Sequence, residues 1–205
     1  MIHNLTNDEI SSILKYRDSC ERIDKLHGIV NHKIVNKSDF NWLLDKFNIT
    51  GRIFGGNYFS TPNPFFIHTD TGKAEDLKGA KSLYNIVIPL VEDETFNTVL
   101  FDQTYLGEAA HFYVGNVFKY FPKPVYNHVK NNYADVDNMT SVPFDLIQYK
   151  TYLTHMPYET VQGLSIKKVI PWNIGEAMVF PSCHLHSASN FVGRKEGLTL
   201  LVCDV

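Results

Sequence analysis

The sequence predicts a mainly β chain built as a double-sheet jelly roll, with N-terminal helices packed outside the sheets. Three observations predict it. Helix signals concentrate in residues 1–50. From Gly51 onward, short runs of β-branched and aromatic residues are separated by Gly, Pro and Asn breaks. Those runs follow one another without the alternating helices of a doubly wound α/β fold. At 205 residues the chain reads as a single domain, 1–205, with 1–50 as helical support. Residues 51–205 then form the jelly-roll core, with an insertion at about 105–160.

The first helix is announced by a capping box, Thr6-Asn7-Asp8-Glu9, in which hydroxyl and carboxylate satisfy free amides at a helix start. Ile10, Ile13 and Leu14 follow on one helical face, and the helix is expected to end near Cys20. Residues 27–35 carry Ile29, Val30, Ile34 and Val35 and suit an edge strand. Ser38 or Asp39 is expected to cap a second helix bearing Phe40, Leu43, Leu44 and Phe47.

Strands then take over. Arg52-Ile53-Phe54 leads to a bulge or turn at Gly55-Gly56, followed by Asn57-Tyr58-Phe59 and, past Pro62 and Pro64, by Phe65-Phe66-Ile67. Residues 73–81 are polar and read as a loop over a site mouth. Residues 83–90 and 98–102 are strong strands, and so are 164–170, 178–180 and 197–202. Between them, 105–160 scatters Tyr, Asn and Pro without sustained period, the mark of a long irregular insertion that serves function.

Composition excludes several classes. Hydrophobic residues make up 44% of the chain, too many for a disordered segment. A formal charge of −3 gives no basis for nonspecific nucleic-acid or membrane binding. Cys20, Cys183 and Cys203 are odd in number and lack CxxC spacing, which argues against a disulfide framework and fits a reducing compartment. With no signal-peptide pattern and no apolar run of about 18 residues, a cytoplasmic location is expected. No phosphate-cradling loop, dinucleotide fingerprint or nucleophile elbow is present.

The chemistry concentrates at His68-Thr69-Asp70 and at Phe180-Pro181-Ser182-Cys183-His184-Leu185-His186. In an extended segment, residues two apart project to the same side, so His68 and Asp70 can point into a barrel together. Two imidazoles and one carboxylate occupy one face of Fe(II) and leave the other open. Zinc is the alternative metal for this donor set. By the same alternation His184 and His186 would share a face, so spacing alone leaves the second histidine ligand open between them.

His68-x-Asp70, then His186, then a basic residue leading into a terminal strand, resembles the Fe(II)/2-oxoglutarate-dependent oxygenases. The similarity runs from about Asn57 to Val205 and is one of motif spacing. His186-Ser187-Ala188-Ser189-Asn190-Phe191 is also similar to a stretch in phage- and marine-type hydroxylase-like members. The resemblance implies a double-stranded β-helix, cupin-like in outline, with iron held by His68, Asp70 and His186. It further implies 2-oxoglutarate as cosubstrate, O2 as oxidant, and hydroxylation of a substrate C–H bond with release of succinate and CO2.

It places the late ligand at His186, leaving His184 as a neighbouring donor, a substrate contact or an interior histidine. The far carboxylate of 2-oxoglutarate needs a buried cation, Lys195 or Arg194. Lys195 has Gly197 and Thr199 on its own face, whereas Arg194 has Glu196 in the corresponding place, which favours Lys195. Tyr84 falls in the strand where related enzymes place a cosubstrate-binding tyrosine, and it reads equally well as a core aromatic. His3, His27, His32, His111, His128 and His155 lack ligand spacing and are read as structural or exposed. Asp70, in place of Gly or Ala, favours hydroxylation over halogenation. The expected substrate is a small molecule or a protein side chain, and nucleic acid is not expected. The competing reading is a cupin-like metal- or ligand-binding jelly roll without turnover, which would not need the buried cation.

Overall fold

Thr6 starts the first helix as its capping box requires. The Glu9 backbone N–H donates to the Thr6 hydroxyl and the Thr6 N–H donates to the Glu9 carboxylate, opening α1 (Asn7–Ser19). A computed structural model describes residues 1–24, 28–115, 129–130 and 132–205. Before α1 lies a short strand, β1 (Ile2–Asn4); after it come β2 (Glu21–Asp24) and β3 (Val30–Lys33). A 3-10 turn at Lys37–Phe40 runs into α2 (Asn41–Phe47). Neither Ser38 nor Asp39 caps that helix: Asn36 donates to the Asp39 carboxylate and accepts from the Ser38 hydroxyl, so these polar groups serve the turn.

The remaining strands are β4 (Arg52–Thr61), β5 (Ile67–His68), β6 (Ser82–Pro89), β7 (Asn97–Thr104) and β8 (His111–Phe112). They are followed by β9 (Val129–Lys130), β10 (Ile166–Pro171), β11 (Glu176–Pro181), β12 (His184–Ala188) and β13 (Lys195–Cys203). Two further short helices are α3 (Ala74–Leu77) and α4 (Leu146–Tyr152).

One sheet has the order β1-β11-β6-β13-β4-β3-β2 and the other β10-β7-β12-β5-β8-β9. The pairings are antiparallel except β8 with β9. This is the expected mainly β jelly roll. β3 is not the edge strand that its β-branched residues suggested. It pairs with β4 on one side and with the fully exposed β2 on the other, because Glu21, Arg22 and Asp24 make a polar edge. β4 is also one continuous strand. Its bulge falls at Phe54, opposite the step from Leu201 to Val202, and Gly56 takes φ +148° where a Cβ would meet the Thr199 carbonyl at 2.5 Å.

Alternation along the strands, interrupted at the register shifts, sorts the side chains into three apolar layers. Outward residues of the seven-stranded sheet (Ile86, Ile88, Leu198, Leu200, Val179) pack against Ile10 and Ile13 of α1 and Leu43, Leu44 and Phe47 of α2. Outward residues of the six-stranded sheet (Val99, Phe101, Leu185) pack against the insertion, through Leu153, Met156 and Val161. Between the sheets lie Val87, Phe96, Leu100, Ile170, Trp172, Met178 and Phe180. Residues 116–128 of the insertion lie outside the described residues, as do His27 and His128. Among the described residues no helix is long and apolar enough to cross a membrane.

Candidate metal centre and its cavity

β5 is two residues long, yet it is clamped on both sides: His68 pairs with His186 of β12 and with His111 of β8. That cross-strand pair brings the two histidines together, with ring centroids 4.1 Å apart. Asp70 follows just past the strand end. One ligand atom from each of His68, Asp70 and His186 lies within 4.8 Å of the others. His186 Nε2 is 3.3 Å from Asp70 Oδ2, and His68 Nε2 is 3.9 Å from Asp70 Oδ1.

Hydrogen bonds at the other ring nitrogens set the tautomers. His68 Nδ1 donates to the Phe66 carbonyl at 2.7 Å, and His186 Nδ1 donates to the His184 carbonyl at 3.1 Å. A carbonyl oxygen only accepts, so in each neutral ring the Nε2 lone pair is turned toward Asp70. Two imidazole lone pairs and a carboxylate, this close, require a cation among them, supplied by a proton or by a metal ion. Burial, reinforced by neighbouring His186, pushes the His68 pKa down to about 3. Burial pushes Asp70 up, but the His186 hydrogen bond and the charges of His68 and His186 outweigh it and hold the carboxyl below its usual range. The donor set fits a divalent metal.

His184 does not join this group. The register between β12 and β7 shifts between His184 and His186, so the simple two-residue alternation fails here. His184 Nδ1 donates to the Phe101 carbonyl at 3.0 Å, and its Nε2 faces Lys167 Nζ at 3.4 Å.

The cluster opens onto a cavity of ≈ 290 Å³ between the sheets. Lys195 and Thr199 of β13 line it with the triad. Lys195 is 3% exposed; its Nζ donates to the Asn97 carbonyl at 2.8 Å and lies 3.8 Å from the Trp172 ring centroid. No carboxylate among the described residues pairs with it, and burial pushes its pKa down to about 7. Arg194, next in the chain, points away: its guanidinium donates to the Gly28 carbonyl and the Ser60 hydroxyl at the surface.

Tyr84 also turns outward, packing with the layer beneath α1 and α2. Its neighbour Asn85 is the residue of β6 that faces inward at this level, donating from Nδ2 to Asp70 Oδ2 at 3.1 Å. Sequence reasoning missed Asn85, although a carboxamide inside the apolar run 83–90 was a readable signal. It also read His111 as structural or exposed, whereas His111 lines the cavity and stacks on His68 with centroids 5.5 Å apart. No spacing rule could find it, because the insertion delivers its strand. His155, read the same way, is half-buried and joins Asn190 Oδ1 to the Phe65 carbonyl, a structural role. Residues 73–81, expected over the mouth, contribute nothing to the cavity wall. They form α3 and a turn tied by backbone bonds near Lys81 and Asp204.

No protein-family model matches the chain, and no curated protein matches it. Solved structures do. A prolyl-4-hydroxylase of Pseudomonas putida aligns over 100% of this chain and 92% of its own, at 10% identity and a TM-score of 0.50. The non-heme alpha-ketoglutarate-dependent carbocyclase SnoK of nogalamycin biosynthesis aligns over 98% of this chain and 77% of its own, at 10% identity and 0.48. HygX from Streptomyces hygroscopicus, with nickel, 2-oxoglutarate and hygromycin B bound, covers 100% and 82%, at 8% identity and 0.47. The first likeness shows the fold, a double-stranded β-helix.

Proposed function

We propose that this protein is an Fe(II)- and 2-oxoglutarate-dependent dioxygenase that hydroxylates a C–H bond, releasing succinate and CO2. The observation that carries the reading is a convergence: two imidazole Nε2 atoms and one carboxylate face a cavity that also holds a buried cation with no acidic partner among the described residues. A metal-binding jelly roll without turnover has no use for that cation.

His68, Asp70 and His186 would hold the iron. When bound with its cosubstrate, iron supplies O2 activation and oxidative decarboxylation. The chain's own residues do the rest. The Phe66 and His184 carbonyls keep both Nε2 lone pairs aimed at the site. Lys195, protonated when a carboxylate arrives, anchors the far end of the dicarboxylate, and Thr199 on the same face adds a hydroxyl. Phe59, Phe65 and Phe180 exclude water around the reacting atoms. The substrate, a small molecule or a protein side chain, enters beside His111. Residues 1–205 act as one domain, with the N-terminal helices as support.

The test is anaerobic addition of Fe(II) and then 2-oxoglutarate to metal-free protein. A weak visible charge-transfer band that needs both, and is lost in His68→Ala, is the expected result. Iron binding without that band would favour the non-catalytic binding protein, and no binding by folded protein would overturn the metal site.

A further inference from the structure

Asn85 sits in the middle of a central strand, paired with Phe180 of β11 on one side and Leu201 of β13 on the other. It is completely buried. Its carboxamide is used on one end: Nδ2 donates to Asp70 Oδ2, while Oδ1 is buried without a hydrogen-bond partner among the described residues. An unpartnered buried amide oxygen destabilises a fold relative to an apolar side chain of similar volume. The rest of this stretch, Ile86, Val87 and Ile88, is apolar. A carboxamide kept at such a position contributes through the one bond it makes.

Asp70 needs that bond. It lies beyond the end of β5, so no strand ladder fixes its rotation. Apart from Asn85, the group within reach of Oδ2 among the described residues is His186 Nε2 at 3.3 Å. When the imidazole lone pairs are given to a metal ion, the Asn85 hydrogen bond is the one that remains on Oδ2. We infer that Asn85 is a positioning residue: its N–H, carried on a strand clamped from both sides, sets the rotation of the Asp70 carboxylate toward His68 and His186. The inference rests on the iron reading above and adds to it a residue that touches no substrate.

Metal-free wild type, Asn85→Leu and Asn85→Ser are titrated with Mn(II) by calorimetry and with Co(II) by visible absorption, and their thermal unfolding is recorded. Asn85→Leu is expected to melt no lower than wild type, to bind Mn(II) about 10–100-fold more weakly, and to shift the Co(II) bands. Asn85→Ser, whose hydroxyl is too short to reach the carboxylate, is expected to show the same loss and serves if the leucine variant does not fold. A folded variant with wild-type Mn(II) affinity and Co(II) spectrum but a lowered Tm would make Asn85 a purely structural residue and overturn the inference, leaving the iron reading intact. Wild type that binds neither metal would overturn both, and the wild-type titration alone distinguishes that case.

Discussion

Lys195 and Trp172 hold each other in the cavity wall. The ammonium nitrogen lies 3.8 Å from the indole centroid, and Trp172 Nε1 donates to the carbonyl of Glu196, next to Lys195 in β13. The charge is thus packed against an aromatic face and one carbonyl, with no anion beside it among the described residues.

Stability should report that imbalance. Below about pH 7 the amine is charged in folded and unfolded chains alike, and the full cost of burying it applies. As pH rises from about 7 toward 10.5 the folded chain sheds the proton while the unfolded chain keeps it, so this group's contribution to stability increases with pH. Lys195→Met should remove the dependence and stabilise the metal-free protein at pH 6 by roughly 3–5 kcal/mol. Urea unfolding at pH 6 and pH 9 measures both.

Dicarboxylate binding should run with the opposite sign. A carboxylate beside Lys195 favours the ammonium, so 2-oxoglutarate affinity for the metal-loaded protein should be highest below about pH 7. Above that it should fall by about tenfold per pH unit until the bound-state pKa is passed. Lys195→Arg, which cannot lose its proton in this range, should flatten the profile. Calorimetric titrations between pH 6 and 9 decide it.

Direction of the side chain predicts which neighbours matter. Arg194→Ala and Tyr84→Phe should leave 2-oxoglutarate affinity within about twofold, because one side chain faces Gly28 and Ser60 and the other the outer layer. Lys195→Met should lower it by about 10–100-fold, the worth of a charge-assisted contact.

Asp70→Ala should abolish Mn(II) and Fe(II) binding while the near-UV circular dichroism of the metal-free protein stays close to wild type and the Tm falls by a few degrees, because buried Asn85 Nδ2 loses its acceptor. The half-buried carboxylate supports no core packing. A collapse of the near-UV signal would show instead that Asp70 is needed for folding.

Gly197 is the point where the Lys195–Trp172 pair is most sensitive to volume. A Cβ there would meet Trp172 Cζ2 at 2.7 Å and Phe59 Cζ at 2.9 Å, and both rings are held by the interior. Gly197→Ala should destabilise the protein by about 1–3 kcal/mol and lower its Tm by several degrees, measured by thermal unfolding.

The jelly-roll architecture was legible because its signals are local. Capping at Thr6, the helical face of Ile10 and Ile13, and the apolar strands at 83–90 and 98–102 each act within one element. The candidate ligands were legible as spacing, and the structure brings His68, Asp70 and His186 together. What failed was parity and tertiary placement. Tyr84 and Asn85 differ by one residue, and in a strand one residue decides the face. His184 and His186 differ by two, and a register shift cancels the alternation. His111 reaches the cavity through a strand pairing that no local pattern encodes.

The pairing of His68 with His186 has a consequence for how the molecule comes into being. The first histidine waits in a two-residue strand for a partner that lies far downstream in sequence. No nascent polypeptide that stops short of residue 186 can contain the cluster, whatever else it has folded. During synthesis the N-terminal helices can form early, but the donor atoms can meet only after residue 186 has been added, so any metal capture at this cluster follows that point.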